Sequence, residues 1–405
     1  MAACLLAAIG CKDVARRVLE HFASAERPVE LPKLTAPEPT QTAAFAQAMQ
    51  VAATMGDVEG MSKLIDWDGV LARGTAGLNI SETNSHETKR GMIEAAKSRG
   101  ILFMMAEAGK ASNVRYLEAA SQNASRNGET WVVLRVLQAG GGMEHCSFLL
   151  DRKPDGRALA VDWNMMSIGE NLTAILRRSL MPLGTSVSAI AARLGGEEGM
   201  TLRYSKPLIE MQKLASEKKA LEALAVYEKL PAEAKNLKLF LIARITAAQQ
   251  LGPQEHAAAL DALIAAHPED PTAAVFAIDA YTYRGDHKKV VAAIDALSAH
   301  AGPDPYFDVL RAGPLITMND FDGAHAAALR ALEAEPDLTP ARWTLVTIAT
   351  KRKDFPDLAR WIGELAAQKK IDPRRLGNVP ELADFVKSPE YEKLLASATP
   401  PAPTP

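Results

Sequence analysis

The residues that metal sites and covalent catalysis need are scarce here, and they do not stand in the patterns of such sites. The three cysteines form no CxxC pair, and the eight histidines lack the spacing of metal ligands. There is no HExxH or GxSxG motif and no phosphate-binding glycine loop ahead of a helix, since Gly140-Gly141-Gly142 lies between predicted strands. We therefore predict no metal, no cofactor and no catalytic residue.

The sequence also has a small net charge, few aromatic residues and no long apolar segment. The formal net charge is −3 and no lysine and arginine run follows one helix face, so we expect no nucleic-acid partner. No apolar run reaches the roughly 18 residues of a spanning helix. Aromatic residues make up 5% and hydrophobic residues 48%, which is typical of a soluble, alanine-packed helical protein.

Three aspartates stand in matched frames at the period of a stacked helix-pair array. Asp286, Asp320 and Asp354 are 34 residues apart, and each frame predicts a polar turn between two helices. The middle copy adds small residues on its second helix and a proline that would end this helix: Ala324, Ala328, Ala331 and Pro336. On these residues, the segment 205–370 resembles tetratricopeptide repeats.

This resemblance implies an all-α helical solenoid over residues 205–370. Two further helix pairs are predicted ahead of the three matched copies, and they end at Pro231 and Pro268. Residues 371–396 are predicted to cap the array. The proline-rich residues 397–405 are predicted to be disordered.

The resemblance also implies a binding groove lined by the first helix of each pair. The positions that face the groove in this family are Val275, Asp279, Thr282, Val309, Gly313, Ile316, Trp343, Thr347 and Thr350. The lysines and asparagines with which some members hold a carboxylate tail are missing, so an apolar groove with one tryptophan favours a segment of a protein or peptide partner. Trp343 has an alternative interpretation as core packing between repeats.

Residues 43–184 carry a different pattern. Apolar residues in the stretches 43–72 and 86–108 predict two helices. Four strand candidates follow, with turn residues between them: 114–117, 130–137, 143–150 and 158–163. A last helix is predicted at 167–181 with Ser167 as its N-cap.

Helices followed by an antiparallel meander predict an α+β domain with a curved sheet, joined to the repeats by a connector at 185–204. The layout resembles the nuclear-transport-factor-2-like superfamily, whose members use the mouth of the sheet as a small-molecule pocket or a docking surface. The resemblance makes Tyr116, Trp131, His145, Asp162 and Trp163 pocket candidates, with Asp162 and His145 as an acid and an imidazole. The alternative is that both tryptophans pack the sheet against the helices, while His145 and Asp162 are hydrogen-bonded strand residues.

The N-terminal residues bear on the compartment. Residues 1–25 contain an apolar stretch ending in Ile9-Gly10-Cys11, which resembles the end of a bacterial lipoprotein signal with Cys11 as the lipidated residue. This interpretation expects a charged start upstream of Met1. The alternative is an amphipathic helix over residues 3–22, through Val14, Val18 and Leu19.

Four prolines over residues 26–42 predict an extended linker. Together these features predict a non-enzymatic protein-binding or scaffold module in the cell envelope, attached to a membrane only through a lipid; a cytoplasmic location is the alternative. The alternative function is a small-molecule binder or enzyme that uses the α+β pocket, and a purely structural envelope protein is a third class. The sequence predicts no oligomeric state.

Overall fold

The computed structural model describes residues 31–76, 78, 82–110, 113–125, 128–138, 142–180, 191, 196–368 and 370–397. By its internal contacts the chain divides into two compact units: unit 1 comprises residues 1–277 and 300–302, and unit 2 comprises residues 278–299 and 303–405. The division falls within the repeats and not in the predicted connector. The predicted α+β domain and the first repeats therefore belong to the same unit.

The described residues from 39 to 109 fold into five helices where the sequence predicted two. These are α1 (Pro39–Thr54), α2 (Val58–Ser62), α3 (Trp67–Gly74), α4 (Glu82–Ser98) and α5 (Ile101–Gly109). The side chains of Asp57 and Asp66 accept hydrogen bonds from the N–H groups of Gly60 and Gly69, so each aspartate starts a new helix. The prediction of single helices at 43–72 and 86–108 is wrong. The two aspartate caps interrupt the first segment, and the break at Gly100 interrupts the second.

Four strands form one antiparallel sheet in the described part of the chain. They are β1 (Val114–Tyr116), β2 (Thr130–Leu137), β3 (Met143–Arg152) and β4 (Ala158–Met165). Each strand pairs with the next along the chain, in the order β1-β2-β3-β4, so the predicted meander and the α+β layout are confirmed. A short helix between β1 and β2, α6 (Glu118–Ala124), was not predicted.

Both faces of this sheet carry buried side chains. On one face Leu134, Phe148 and Trp163 join residues of α1 to α5 in a single apolar cluster. The ring of Trp67 in α3 meets that of Trp163 edge-on, with 5.8 Å between centroids. On the other face Val133 packs with residues at the start of α6. The central strand β2 is a nearly continuous apolar run because both of its sides are covered.

The segment before α1 lies against the sheet instead of extending away from it. The N–H of Thr35 donates to Asp151 Oδ1 at 2.7 Å, and its carbonyl accepts from the N–H of Arg152 at 2.8 Å. Residues 39–42 are already helical, because Glu38 and Gln41 form a capping box. The linker prediction is therefore wrong from residue 31 onward, and residues 26–30 lie outside the described ranges.

The helix that leaves the sheet, α7 (Leu172–Leu180), begins at Leu172 and not at Ser167. Ser167 does not cap a helix, since its N–H and its hydroxyl both donate to the carboxylate of Glu144. Gly169 then takes a φ of +67°, which departs from a right-handed helix. The predicted helix start and N-cap are wrong because Ser167 donates its hydrogen bonds to Glu144 of β3.

Helices fill the described residues from 196 to 367. Single helices are α8 (Gly196–Arg203) and α11 (Ala232–Lys235). The pairs are α9 (Ser205–Ser216) with α10 (Ala220–Glu228), α12 (Lys238–Ala248) with α13 (Pro253–Ala266), α14 (Pro271–Tyr283) with α15 (His287–Ala301), α16 (Pro305–Thr317) with α17 (Phe321–Ala334), and α18 (Thr339–Arg352) with α19 (Phe355–Ala367). Pro231, Pro268 and Pro336 each follow the end of a second helix, so the predicted helical repeats are confirmed. The solenoid stays a prediction.

The turns at the three matched aspartates have the same geometry. Asp320 Oδ1 accepts from the N–H of Gly323 at 2.9 Å and Asp354 Oδ1 from that of Asp357 at 3.2 Å, which starts the second helix. The residue before each aspartate has a positive φ and closes the first helix: 69° at Gly285, 61° at Asn319 and 55° at Lys353. The 34-residue period is thus the period of a left-handed residue followed by a helix cap.

Beyond α19, three short 3₁₀ segments (Pro373–Asn378, Pro380–Leu382 and Phe385–Lys387) lead to α20 (Pro389–Ser397). Phe385, Tyr391 and Leu394 join Trp361 and Leu365 of α19 in one apolar cluster. They cover an apolar side of the last helix pair, as a capping segment does. Residues 398–405 lie outside the described ranges.

The alanines of α17 allow its pair to pack closely, and this packing can be tested. Ala328 is fully buried, whereas Ala326 of the same helix is exposed. We expect Ala328→Leu to overpack the pair and to lower the free energy of unfolding by about 1 to 3 kcal/mol. Ala326→Leu should change it by less than about 0.5 kcal/mol. Urea titrations measure both, and equal midpoints would contradict the packing of α17 described here.

Candidate functional site

The predicted groove positions of α16 and α18 lie on helices that pack against each other in unit 2. We call the residues Val309, Gly313, Ile316, Trp343, Thr347 and Thr350 the first-helix face. Gly313, Trp343 and Thr347 are exposed, and the other three are half-buried. On α14, Asp279 and Thr282 are exposed within unit 2, whereas Val275 is half-buried and belongs to unit 1.

Trp343 is the large apolar side chain of this face. It is 41% exposed, whereas Trp361 on α19 is 2% exposed. The alternative interpretation of Trp343 as core packing is therefore wrong, since the tryptophan that fills the core of this helix pair is Trp361. A tryptophan left this open on packed helices resembles the aromatic anchors of protein interfaces.

The threonines make the first-helix face less polar than its sequence suggests. The Thr347 hydroxyl donates to the carbonyl of Trp343 at 3.0 Å, and the Thr350 hydroxyl donates to that of Val346 at 2.7 Å. Thr317 of α16 does the same with Gly313 at 3.2 Å. Because each hydroxyl proton is directed at the helix backbone, these side chains offer a ligand their methyl group and an acceptor oxygen, but no donor.

A row of exposed residues that was not predicted from the sequence lies beside this face. Tyr283 of α14 is 71% exposed, and Thr317 and Lys351 are exposed at the matching places on α16 and α18. These three residues are spaced by the same 34 positions as the aspartates. That spacing was the available signal, and each residue directly follows a predicted groove position.

The structure does not bring the α+β pocket candidates together. Trp163 pairs with Phe148 and packs in the apolar cluster, whereas Asp162 pairs with Leu149 and points to the opposite face of the sheet. His145 lies four positions from Leu149 along β3, which is about 13 Å. The predicted acid and imidazole therefore do not share a site.

Asp162 is fully buried and its oxygens are occupied. It accepts from the N–H of Trp163 at 2.8 Å, and from the N–H and the hydroxyl of Thr173 at 3.1 Å and 2.5 Å. Burial raises the pKa of Asp162 to about 6, against the opposing effects of these hydrogen bonds and of the Arg73 charge. The carboxylate thus attaches the start of α7 to β4, which is the structural role that was the alternative prediction.

The other three candidates also make local contacts. The N–H of Tyr116 donates to Gln50 Oε1 at 2.7 Å, and burial raises the pKa of its phenol. Trp131 donates its ring N–H to Glu129 at 3.2 Å, and its pairing with Leu149 places it on the face opposite Trp163. Only one of the two tryptophans therefore packs the sheet against α1 to α5. The carbonyl of His145, a buried residue, accepts from the N–H of Met166 at 3.1 Å.

Two further expectations concern ligands and the membrane. In the part of the chain that the structure describes, no three His, Cys, Asp or Glu side chains gather as a metal site requires. None of the helices given above combines the length and the apolar composition that crossing a membrane requires. Cys11, the predicted lipidation site, lies outside the described residues.

No protein-family profile matches this sequence, and no curated protein matches it. Among solved structures, the chain is similar to the crystal structure of PilW, described as a widely conserved type IV pilus biogenesis factor. That similarity has a TM-score of 0.32 and 16% sequence identity, and it covers 52% of this chain and 100% of PilW. A TM-score this low does not establish a shared fold, so the identification of the helix pairs rests on their own geometry.

Proposed function

We propose that this chain is a non-enzymatic scaffold that binds a segment of a protein partner on the first-helix face of unit 2. The exposed Trp343 is the observation that carries the proposal. Thr347 lies one helical turn from Trp343 on α18 and directs its hydroxyl proton at the carbonyl of Trp343, so its methyl group is available to a ligand. Gly313, on the same face, has open space beside it. Such a surface suits the apolar side chains of a helix or of an extended peptide.

Helices α16 and α18, which carry this face, are firmly packed on their other sides, and this packing favours binding. Ala312 of α16 and Leu345 and Ala349 of α18 are buried in one cluster. Arg311 of α16 forms ion pairs with Asp308 and Asp295. A face that is already ordered before the partner arrives loses little conformational entropy on binding.

A pocket enzyme is less well supported, because Asp162 and His145 are buried and lie apart. Location in the cell envelope, with attachment through Cys11, is part of the proposal. It rests on the Ile9-Gly10-Cys11 segment alone.

We expect Trp343→Ala to weaken partner binding by about thirtyfold, which corresponds to roughly 2 kcal/mol for the loss of an aromatic anchor. The matched control is Leu329→Ala on α17, because Leu329 is 39% exposed against 41% for Trp343 and lies in the same unit outside this face. Tagged full-length chains would be crosslinked in the cells that naturally make them, and captured proteins quantified by mass spectrometry. A partner should be lost with Trp343→Ala and kept with Leu329→Ala. Equal recovery from all three chains would reject the first-helix face as the binding site.

A further inference from the structure

The loop between β4 and α7, residues 166–171, is attached to the sheet at both of its ends. We call it the joining loop. Near its start, Ser167 donates its N–H at 3.1 Å and its hydroxyl to the carboxylate of Glu144 on β3. Directly after it, Thr173 donates its N–H at 3.1 Å and its hydroxyl at 2.5 Å to Asp162 on β4. Both carboxylates are buried, so the loop is fixed to two strands from within the fold.

Between these attachments the joining loop lies against the helix pairs of unit 1. The hydroxyl of Thr272, in the first turn of α14, donates to the carbonyl of Met166 at 2.9 Å, and both residues are buried. A Cβ built on Gly169 would lie 2.3 Å from Thr272 Oγ1 and 3.2 Å from Lys238 Nζ. The loop backbone therefore contacts the starts of two helices, α12 and α14, and Gly169 has no space for a side chain.

The helix starts that meet the joining loop are also bonded to each other. Lys238, the first residue of α12, donates from Nζ to Asp270 Oδ2 at 2.8 Å. The other oxygen of Asp270 accepts from the N–H of Thr272 at 2.8 Å. The N–H of Lys238 donates to Glu197 Oε1 of α8 at 2.9 Å. The starts of α12 and α14 are thus held in one set of polar contacts, and the loop packs directly on it.

These contacts make the joining loop a mechanical link inside unit 1. The bonds of Asp162 with Thr173 and of Thr272 with Met166 are buried, and a buried polar group that loses its partner destabilises the fold. Elements joined by such bonds open together and not one at a time. Helix pairs of a repeat array depend on neighbouring elements for their stability, and at α12 and α14 the neighbouring element includes this loop.

We infer that the joining loop couples the α+β domain to the repeats, and that the α+β domain serves as a support that stabilises the starts of α12 and α14. Its buried carboxylates then act on the repeats through the loop and not on a ligand. The inference concerns contacts within unit 1 and does not depend on the proposed function of unit 2.

The test changes one side of the joining loop and measures amide hydrogen exchange on the other side, in the full chain. Glu144→Gln alters the sheet side, and Thr272→Val removes the hydroxyl on the helix side while keeping the shape of the side chain. Thr272→Ser keeps the donor. The matched control is Thr246→Val on α12, because the Thr246 hydroxyl bonds only within its own helix, to the carbonyl of Ile242 at 3.1 Å.

We expect Thr272→Val to speed exchange about tenfold at the amides of Ser167 and Thr173, which Thr272 does not contact, because the loop then opens more often. Glu144→Gln should speed exchange to a similar degree in the first turns of α12 and α14. Thr272→Ser and Thr246→Val should exchange at the parent rate in all of these segments. Mass spectrometry of peptides covering residues 166–173, 238–248 and 271–277 measures each rate.

Two results would overturn the inference. One is faster exchange in the Glu144→Gln chain that stays within the sheet and the joining loop, with α12 and α14 at the parent rate. The other is equal exchange at Ser167 and Thr173 in the Thr272→Val and Thr272→Ser chains, which would show that the bond to Met166 links nothing. This second comparison decides the question even if Glu144→Gln prevents folding, because it needs no change in the sheet.

Discussion

Gly109→Ala is expected to lower the free energy of unfolding by about 3 kcal/mol or more, although alanine is the better helix former. The reason is the contact between α5 and α1. A Cβ built on Gly109 would lie 2.0 Å from the carbonyl oxygen of Ala53 and 2.3 Å from its carbonyl carbon. These are backbone atoms, so the clash cannot be relieved by turning a side chain, and the two helices would have to separate.

The matched control is Gly91→Ala inside α4, where a Cβ would meet nothing within 4 Å. Here the substitution should raise the free energy of unfolding by about 0.5 to 1 kcal/mol, the usual gain from replacing a glycine in a helix. Urea titrations of both variants and of the parent chain measure these changes in the free energy of unfolding. If Gly109→Ala were as stable as Gly91→Ala, the close approach of α1 and α5 would be incorrect.

The repeats could be predicted from sequence because their turns use local chemistry at a fixed period. A left-handed residue followed by an aspartate cap needs only a few neighbouring residues, and its recurrence at Asp286, Asp320 and Asp354 made it visible. The same turn occurs at Gly56 and Asp57, where Gly56 has a φ of +67° and Asp57 caps α2. It was missed there because nothing repeats it at that period.

The prediction of a pocket in the α+β domain was wrong because of the directions in which its side chains point. Neighbouring residues of a strand point to opposite faces, so Asp162 and Trp163 could not line one pocket while both lay in β4. The separation of Asp162 from His145 depends on the register of β3 and β4, which shifts at a bulge between Leu149 and Leu150. Such a bulge is set by packing and cannot be read from the alternation of apolar residues.

The repeat predicts which positions of a first helix face outward, and Gly313, Trp343 and Thr347 are exposed, whereas Val309, Ile316 and Thr350 are half-buried. That these positions form a binding groove stays a prediction. Whether Trp343 was buried or exposed was not predictable, since two tryptophans, Trp343 and Trp361, lie in the same helix pair. The contacts of unit 2 decide which of them fills the core. The hydrogen bonds from the threonine hydroxyls to the helix backbone were likewise not predicted from the sequence, although these bonds determine the polarity of the face.

The largest pH effect on unit 1 is expected at Asp162. The carboxylate is buried, and its pKa in the folded chain is about 6 against a reference value of 3.8. The folded chain therefore holds a proton that the unfolded chain has lost between these two pH values. The stabilising contribution is complete below about pH 4 and disappears as the pH rises through about 6, a loss of about 3 kcal/mol.

Asp162→Asn should remove this dependence, because an amide does not titrate. The free energy of unfolding, measured by urea titration from about pH 4 to pH 7, should fall by about 3 kcal/mol less in the variant than in the parent chain. Other carboxylates are present in both chains and cancel in the difference. Among them are Asp66 and Asp270, where burial acts to raise the pKa but is outweighed by the lysine partners and by backbone hydrogen bonds, so that both pKa values are lowered. The control is Asp155→Asn in the β3–β4 turn, where hydrogen bonds from Arg157 lower the pKa of an exposed carboxyl. Its effect should be small and opposite in direction, and parallel curves for Asp162→Asn and the parent would show that burial does not hold the Asp162 proton.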